Sequence, residues 1–453
     1  MDYKTVCKEC NGIGKIKQRI RKKLIQNIIL KPCLKCSGSG LTVSENQTVP
    51  NTEEFPHIAI IGGGIGGVAL AVACLHRGIP FTIYERDTSF NARSQGYGLT
   101  LQQASKAMEG FGISNLANGV VSTKHIVHTP YGKIVAEWGM RKWLENSEQK
   151  ISKKTNIHIA RQELRQTLIE HLQDTDSIKW GYKLLDCSVD NQHKINLTFD
   201  VNGKIETTTA DLVVGADGIR STVRNLIIGE EKAPLRYLGC MVILGICKLN
   251  SIENTDRTLL DSATVFQTAN GNERIYVMPY DADSVMWQLS FPIDEAEAKI
   301  LNKNGVQALK EEACKRTKWH APIPQILSAT PPDQITGYPV YDREQLSVEL
   351  LQNAGSVTLI GDAAHPMSPF KGQGANQALL DALALARIIY KNGNSKSDWR
   401  SKGLRDPILK SFEAEIIERS SVKVADSAAA AEFLHSEIAL HESNQPRGSV
   451  IKK

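Results

Sequence analysis

The spacing of hydrophobic and polar positions divides the 453-residue chain into stretches of different character. Residues 1–40 mix short apolar and basic runs with paired cysteines and glycines. Residues 41–55 (LTVSENQTVPNTEEF) are polar without a clear period and read as a linker. From Pro56 onward the pattern is that of a globular protein. Residues 57–61 (HIAII) form a short apolar run, as expected of a buried strand. A glycine-rich turn follows, then apolar positions at helical spacing over 65–76, then a second strand at 81–84. Strand, helix and strand in that order begin a parallel sheet. Between about Leu235 and Gln345 lie β-rich runs, among them CMVILGI (240–246), ERIYVMPY (273–280) and SVMWQLSF (284–291), which predict a second, larger sheet. From Asn376 to about Glu442 the chain is rich in Ala, Leu and Glu and reads as helical.

Composition changes this picture only at the N-terminus. The formal net charge is +5, yet residues 1–50 alone carry ten Lys/Arg against three Asp/Glu, so the rest is slightly acidic. No apolar run approaches the ~18 residues of a membrane span, and no signal-peptide pattern follows Met1. A cytoplasmic protein is the expectation. Cys74, Cys187, Cys240, Cys247 and Cys314 are scattered and read as core thiols.

Gly62-Gly63-Gly64-Ile65-Gly66-Gly67 satisfies G-x-G-x-x-G through Gly62, Gly64 and Gly67. It follows a strand, opens a helix, and is followed by Glu85, 23 positions after Gly62 at the end of the next strand. That is the setting of a dinucleotide site: glycines let the backbone approach a pyrophosphate, the helix N-terminus offers free N–H groups, and the acid binds a ribose. Two later motifs, GADGIRSTVR (215–224) and LIGDAAHPMSPFKGQGANQALLDALALA (359–386), narrow the reading.

With these motifs in this order, the chain resembles the FAD-dependent aromatic hydroxylases. These class A flavoprotein monooxygenases include salicylate- and para-hydroxybenzoate-type hydroxylases and tetracycline-inactivating monooxygenases. The resemblance runs from about Phe55 to about Glu442. It implies an α/β fold: a Rossmann-like FAD-binding domain with a parallel sheet, a second mixed-sheet substrate domain and C-terminal helices. It implies that Glu85, with Arg86 beside it, binds the adenosine ribose. In Ala92–Leu101 it puts Arg93 on the NADPH side and Thr100 near the flavin. Tetracycline-inactivating enzymes carry Asp where this chain has Thr100, which argues against that substrate. It further implies that Arg161 contacts FAD, that Asp217 supports FAD and NADPH binding, and that Asp362 bonds the ribityl chain. Gly374, Ala375 and Asn376 should open a helix toward the flavin, where N–H groups and the helix dipole stabilise a reduced, anionic ring. Pro366 and Pro369 should hold a rigid loop before the ring, and His365 is read as part of this motif, not as a proton donor.

The implied reaction uses FAD, NADPH or NADH, and O2 to hydroxylate an aromatic or polyketide-like small molecule through a flavin C4a-hydroperoxide. No separate catalytic triad is expected, because the cofactor carries the chemistry. Two other readings stand beside it: a flavin-binding regulatory protein, and a flavin oxidoreductase without oxygen insertion.

Cys7-Lys8-Glu9-Cys10-Asn11-Gly12-Ile13-Gly14 and Cys33-Leu34-Lys35-Cys36-Ser37-Gly38-Ser39-Gly40 are two copies of C-x-x-C-x-G-x-G. Four thiolates suit a tetrahedral structural zinc, and the motif resembles the zinc-binding region of DnaJ-type co-chaperones. Forty residues bury too little core to fold without metal. The basic run Lys15–Lys23 between the knuckles is a candidate contact for nucleic acid or a protein partner, or a solvated hairpin face. The expected organisation is a zinc module at 1–40, a linker at 41–55, and an FAD-binding domain at 56–234 and 346–395. A substrate sheet domain at 235–345 interrupts that domain, and a helical segment at 396–453 ends the chain.

Overall fold

The computed structural model describes residues 3–22, 25–92, 96–141, 156–172, 175–190, 194–394 and 397–442. Arg93 and Lys23 lie outside them, as do the last residues of the C-terminal segment.

Ile58–Ile61, every residue buried, is the centre of a five-stranded parallel sheet. The order is Ile178–Trp180, Phe81–Glu85, Ile58–Ile61, Leu212–Gly215, Val357–Leu359. The apolar runs IAII and LVVG at its centre suit strands covered on both faces. The helix Ile65–Leu75 is also apolar all round, and nine of its eleven residues are buried. Its glycines and alanines let it pack closely between the sheet and the helix Gly374–Asn392.

The second sheet has seven strands, in the order Ile134–Trp138, Lys124–His128, Thr264–Ala269, Arg274–Pro279, Ser284–Pro292, Leu235–Lys248, Ile335–Arg343. All its pairings are antiparallel except Lys124–His128 with Thr264–Ala269, so it is mixed. Two of these strands come from before residue 235, outside the 235–345 limits expected. KHIVH and IVAEW are short and half polar, and only pairing with a segment about 140 positions away gives them a sheet to join. Side chains alternate across this sheet. Ile275, Val277, Trp287 and Leu289 pack into a core shared with Ala298, Leu309, Ile323 and Ile326 of the helices behind it. The intervening residues face the other way.

At the N-terminus, Lys15–Lys22 and Ile25–Pro32 form an antiparallel hairpin. Tyr3–Val6 pairs with Leu41–Ser44. The expected linker is therefore ordered strand at its start: Leu41 and Val6 are buried opposite each other, and four residues are too few to show a period. The helix Lys410–Phe433 closes the described fold. Among the described residues no helix is long and apolar enough to cross a membrane.

Candidate active site

The carboxyl ends of the parallel strands and the free face of the seven-stranded sheet enclose a cavity of about 970 Å³. Ligands in open α/β sheets bind at that end of the strands.

The glycine turn forms the first wall. Gly62 has φ +109°, and a Cβ there would strike the carbonyl of Ala216, so only glycine fits. The turn is clamped from both sides. Glu85 is buried and accepts from the N–H of Gly63 at 2.7 Å and of Asp87 at 2.9 Å. Arg165, also buried, donates to the carbonyl of Gly63 at 2.7 Å. Gly64, Ile65 and Gly66 then present the start of the helix to the cavity, where no side chain caps it.

The strand Ile157–Ala160 pairs with Gly98–Leu101 and leads into the helix Arg161–Glu170. Arg161 thereby reaches the cavity. Its guanidinium lies 5.4 Å from the centre of the Tyr97 ring, and its buried Nη1 has no hydrogen-bond partner. Thr100, on the paired strand, lines the cavity and meets His158 Nδ1 at 3.1 Å.

After Val357–Leu359 the chain turns through Gly361 and Asp362. The Asp362 carboxyl opens onto the cavity; protein surrounding it raises its pKa, against the opposing pull of His365 and Arg161. His365 points away, into a buried network. Asp381 accepts from His365 at 2.6 Å, from the Gly361 N–H at 2.8 Å and from Arg419 at 2.8 Å. Burial alone would lower the His365 pKa, but Asp381 outweighs it and the net shift is upward. Arg224 fixes the same turn by donating to the carbonyls of Ala363 and Ala364 at 3.0 and 2.9 Å.

The helix Gly374–Asn392 starts at the cavity without a side-chain cap, with Gly374 and Ala375 on the wall. Asn376 is wholly buried, and its amide is used up by the protein. It accepts from Gln102 and Ala104 N–H at 2.8 and 3.2 Å, and donates to Thr100 and Gly372 carbonyls at 2.9 and 2.8 Å. Asp217 holds the start of the helix Thr222–Ile228, which Ser221 caps, accepting from Ser221 Oγ at 2.5 Å and from Thr222 and Val223 N–H at 2.7 and 3.2 Å.

Of the residues singled out from sequence, the structure brings Gly64, Thr100, Arg161, Asp362, Gly374 and Ala375 to the cavity wall. Gly62, Gly67, Glu85, Asp217 and Asn376 stand behind it and shape it. Arg86 is exposed.

On the opposite wall Tyr276, Met278 and Met286 line the cavity, whereas Trp287 points into the core and donates to Thr330 at 2.9 Å. Gln267 and Gln288 sit opposite Tyr276 on its two neighbouring strands. Arg274 is buried beside them, donates to Gln267 Oε1 at 2.8 Å and lies 4.9 Å from the Tyr276 ring. Burial lowers its pKa to about 10. The Nε2 atoms of Gln267 and Gln288 are buried without a partner. The signal was present: three neighbouring apolar strands each carry one long polar side chain, Gln267, Arg274 and Gln288.

Cys7, Cys10, Cys33 and Cys36 are all buried, with sulfurs within 4.8 Å of one another. Cys7 and Cys33 sulfurs are 3.9 Å apart, Cys10 and Cys36 3.7 Å. A tetrahedron of ~2.3 Å metal–sulfur bonds requires about 3.8 Å. The N–H groups of Gly14 and Gly40 each point at a sulfur, Cys10 and Cys36, at 3.2 Å.

The model of a family described as "FAD binding domain" matches residues 56–399. The chain is 28% identical over 337 residues to the aurachin C monooxygenase/isomerase of Stigmatella aurantiaca, covering 73% of this chain and 80% of that protein. It is 24% identical over 351 residues to the 6-hydroxynicotinate 3-monooxygenase of Pseudomonas fluorescens, covering 75% and 84%. Among solved structures, Klebsiella pneumoniae HpxO complexed with FAD and uric acid superposes with a TM-score of 0.68 at 20% identity, covering 85% of this chain and 90% of that one.

Proposed function

The chain belongs to the FAD binding domain family, and from that premise we propose that it is an FAD-dependent monooxygenase. It uses NADPH or NADH and O2 to hydroxylate an aromatic small molecule. The observation that carries the reading is the cavity itself, where two uncapped helix N-termini, an unmatched guanidinium nitrogen on Arg161 and the Asp362 carboxyl face a wall of polar and aromatic side chains. These groups suit FAD: N–H donors and Arg161 for pyrophosphate, Asp362 for ribityl hydroxyls. Gly62, Gly64, Gly67, Glu85, Asp217 and Asn376 form or brace that cradle, Arg86 follows the ribose-binding Glu85 in the chain, and Arg93 keeps the NADPH-side role that the resemblance implies. When bound, FAD supplies hydride acceptance and oxygen activation.

The protein's own residues do the rest. The start of the helix Gly374–Asn392 holds negative charge on the reduced ring. Tyr276, Met278 and Met286 exclude water from the reacting side. Arg274, Gln267 and Gln288 offer donors to an oxygen-rich or anionic substituent of the substrate, in keeping with the buried amide nitrogens of the two glutamines that have no partner. At the N-terminus, Cys7, Cys10, Cys33 and Cys36 hold a structural Zn2+, in keeping with their sulfur spacing.

The test is substrate-stimulated NAD(P)H oxidation across phenolic acids, hydroxypyridines and tetracyclines, with product mass measured. Acceleration by one aromatic class, with a product heavier by one oxygen atom, is expected. Oxidation that no compound accelerates, with no oxygenated product, rejects the reading in favour of an oxidoreductase or a binding protein.

A further inference from the structure

The cysteine module is docked on the flavin-binding body through two arginines that the reaction does not use. Arg77 follows the helix Ile65–Leu75, donating to the Ala73 carbonyl at 2.8 Å and across to the Gly12 carbonyl of the first knuckle at 3.4 Å. Arg387, in the last turns of Gly374–Asn392, donates to the Ser39 carbonyl of the second knuckle at 3.0 Å. Arg77 is only 2% exposed, and each arginine has a buried Nε without a partner. Among the described residues neither forms an ion pair with a carboxylate.

Two guanidiniums, Arg77 buried and Arg387 partly so, each with a buried Nε lacking a partner and neither in an ion pair among the described residues, call for a counter-charge. The cluster supplies one only when it holds metal. Four neutral thiols carry no charge, whereas four thiolates around a divalent cation carry minus two, matching the two arginines. Arg77 follows, and Arg387 sits on, the two helices whose N-termini open onto the FAD cavity, and those helices pack against each other. We propose that the four-cysteine metal centre is the counter-ion of Arg77 and Arg387, so that metal occupancy at the knuckles and FAD retention in the cavity are one coupled equilibrium. The proposal rests on the zinc reading above. It makes the module a metal-dependent, oxidation-sensitive brace for the flavin site: hydrogen peroxide takes two electrons from two thiolates, which join as a disulfide, and leaves as two hydroxide ions; Zn2+ is released, the two remaining thiolates take up protons to become neutral thiols, and the counter-charge is lost.

The experiment uses the full chain. Zinc content is measured by elemental analysis, and FAD affinity by flavin fluorescence before and after chelation, then after re-addition of Zn2+. About one zinc per chain is expected, with FAD binding about tenfold weaker in the stripped protein and restored by zinc. Independently, Arg387→Met should weaken zinc binding about tenfold in competition with a chromophoric chelator, because linkage is reciprocal. Stoichiometric zinc whose removal leaves FAD affinity within about twofold, or an Arg387→Met protein with unchanged zinc affinity, overturns the coupling and leaves the zinc reading intact. A protein that takes up no zinc overturns both.

Discussion

Replacing Asn376 with alanine tests whether this residue touches the cofactor or holds the wall that does. The amide makes four hydrogen bonds, to Gln102 N–H, Ala104 N–H, Thr100 carbonyl and Gly372 carbonyl, and the side chain is fully buried. At about 0.5–1.5 kcal/mol each, their loss amounts to roughly 2–6 kcal/mol, a large share of a typical stability of ~5–15 kcal/mol. Thr100, Gln102 and Gly372 line the cavity, so the damage should fall on the binding site as well as on the fold. Asn376→Ala should lower the thermal midpoint by roughly 5–10 °C and weaken FAD by tenfold or more, by about 1.4 kcal/mol per tenfold. Asn376→Asp keeps the two accepted bonds and loses the two donated ones, and should fall between. Thermal unfolding and flavin titration on the same samples decide the matter. A midpoint within about 1 °C of the parent, beside weakened FAD, would show a contact role and refute the bracing argument.

Three further outcomes are expected. Gly62→Ala forces a side chain into a positive-φ position against the Ala216 carbonyl, at ~1–3 kcal/mol for the backbone alone, and should yield protein purified with little flavin; normal flavin content would contradict it. Arg274→Met replaces a buried cation with an apolar chain of similar length, so kcat/KM for an anionic aromatic should fall about 10- to 100-fold, from a charged hydrogen bond of ~1.5–3 kcal/mol, with no loss of thermal midpoint; equal loss for neutral and anionic substrates would count against it. The His365–Asp381 pair sets a pH window. Burial opposes but Asp381 raises the His365 pKa, so its contribution is full below the unfolded value of 6.5 and fades as pH rises through the raised value. Burial likewise opposes but His365 and Arg419 lower the Asp381 pKa, so its contribution holds above about 3.9 and fades as pH falls through the lowered value. Asp381→Asn should flatten both limbs in denaturant titrations against pH, and an unchanged profile would count against this account.

The parts of the fold readable from sequence are those written in adjacent residues. The apolar run before Gly62, the glycine spacing and the helical period to Leu75 are local signals, and the structure has strand, turn and helix there. The parallel sheet, the mixed sheet and the terminal helices follow the expected class. What escaped is non-local. Nothing near Lys124 announces that its strand will pair with Thr264–Ala269. Arg165 looks like any helix arginine until the Gly63 carbonyl lies under it. Asn376 sits in a motif that faces the cavity, yet its amide turns toward its own chain, a choice made by the loop at Gly372 and by Thr100. Leu41–Ser44 became a strand because Tyr3–Val6 was free to pair with it.

The order of the parallel sheet carries a consequence for biosynthesis. Its central strand, Ile58–Ile61, emerges early from the ribosome, but Val357–Leu359, the edge beyond Leu212–Gly215, emerges some three hundred residues later. Asp362 and the start of Gly374–Asn392 come later still. A nascent chain stalled before that point holds an open apolar sheet with half a nucleotide cradle. Such long-range closure is slow and leaves strand edges open to aggregation. The sheet and its cradle are therefore complete only once the segment through Gly374–Asn392 has been made, and a bound flavin can stabilise the fold no earlier than that.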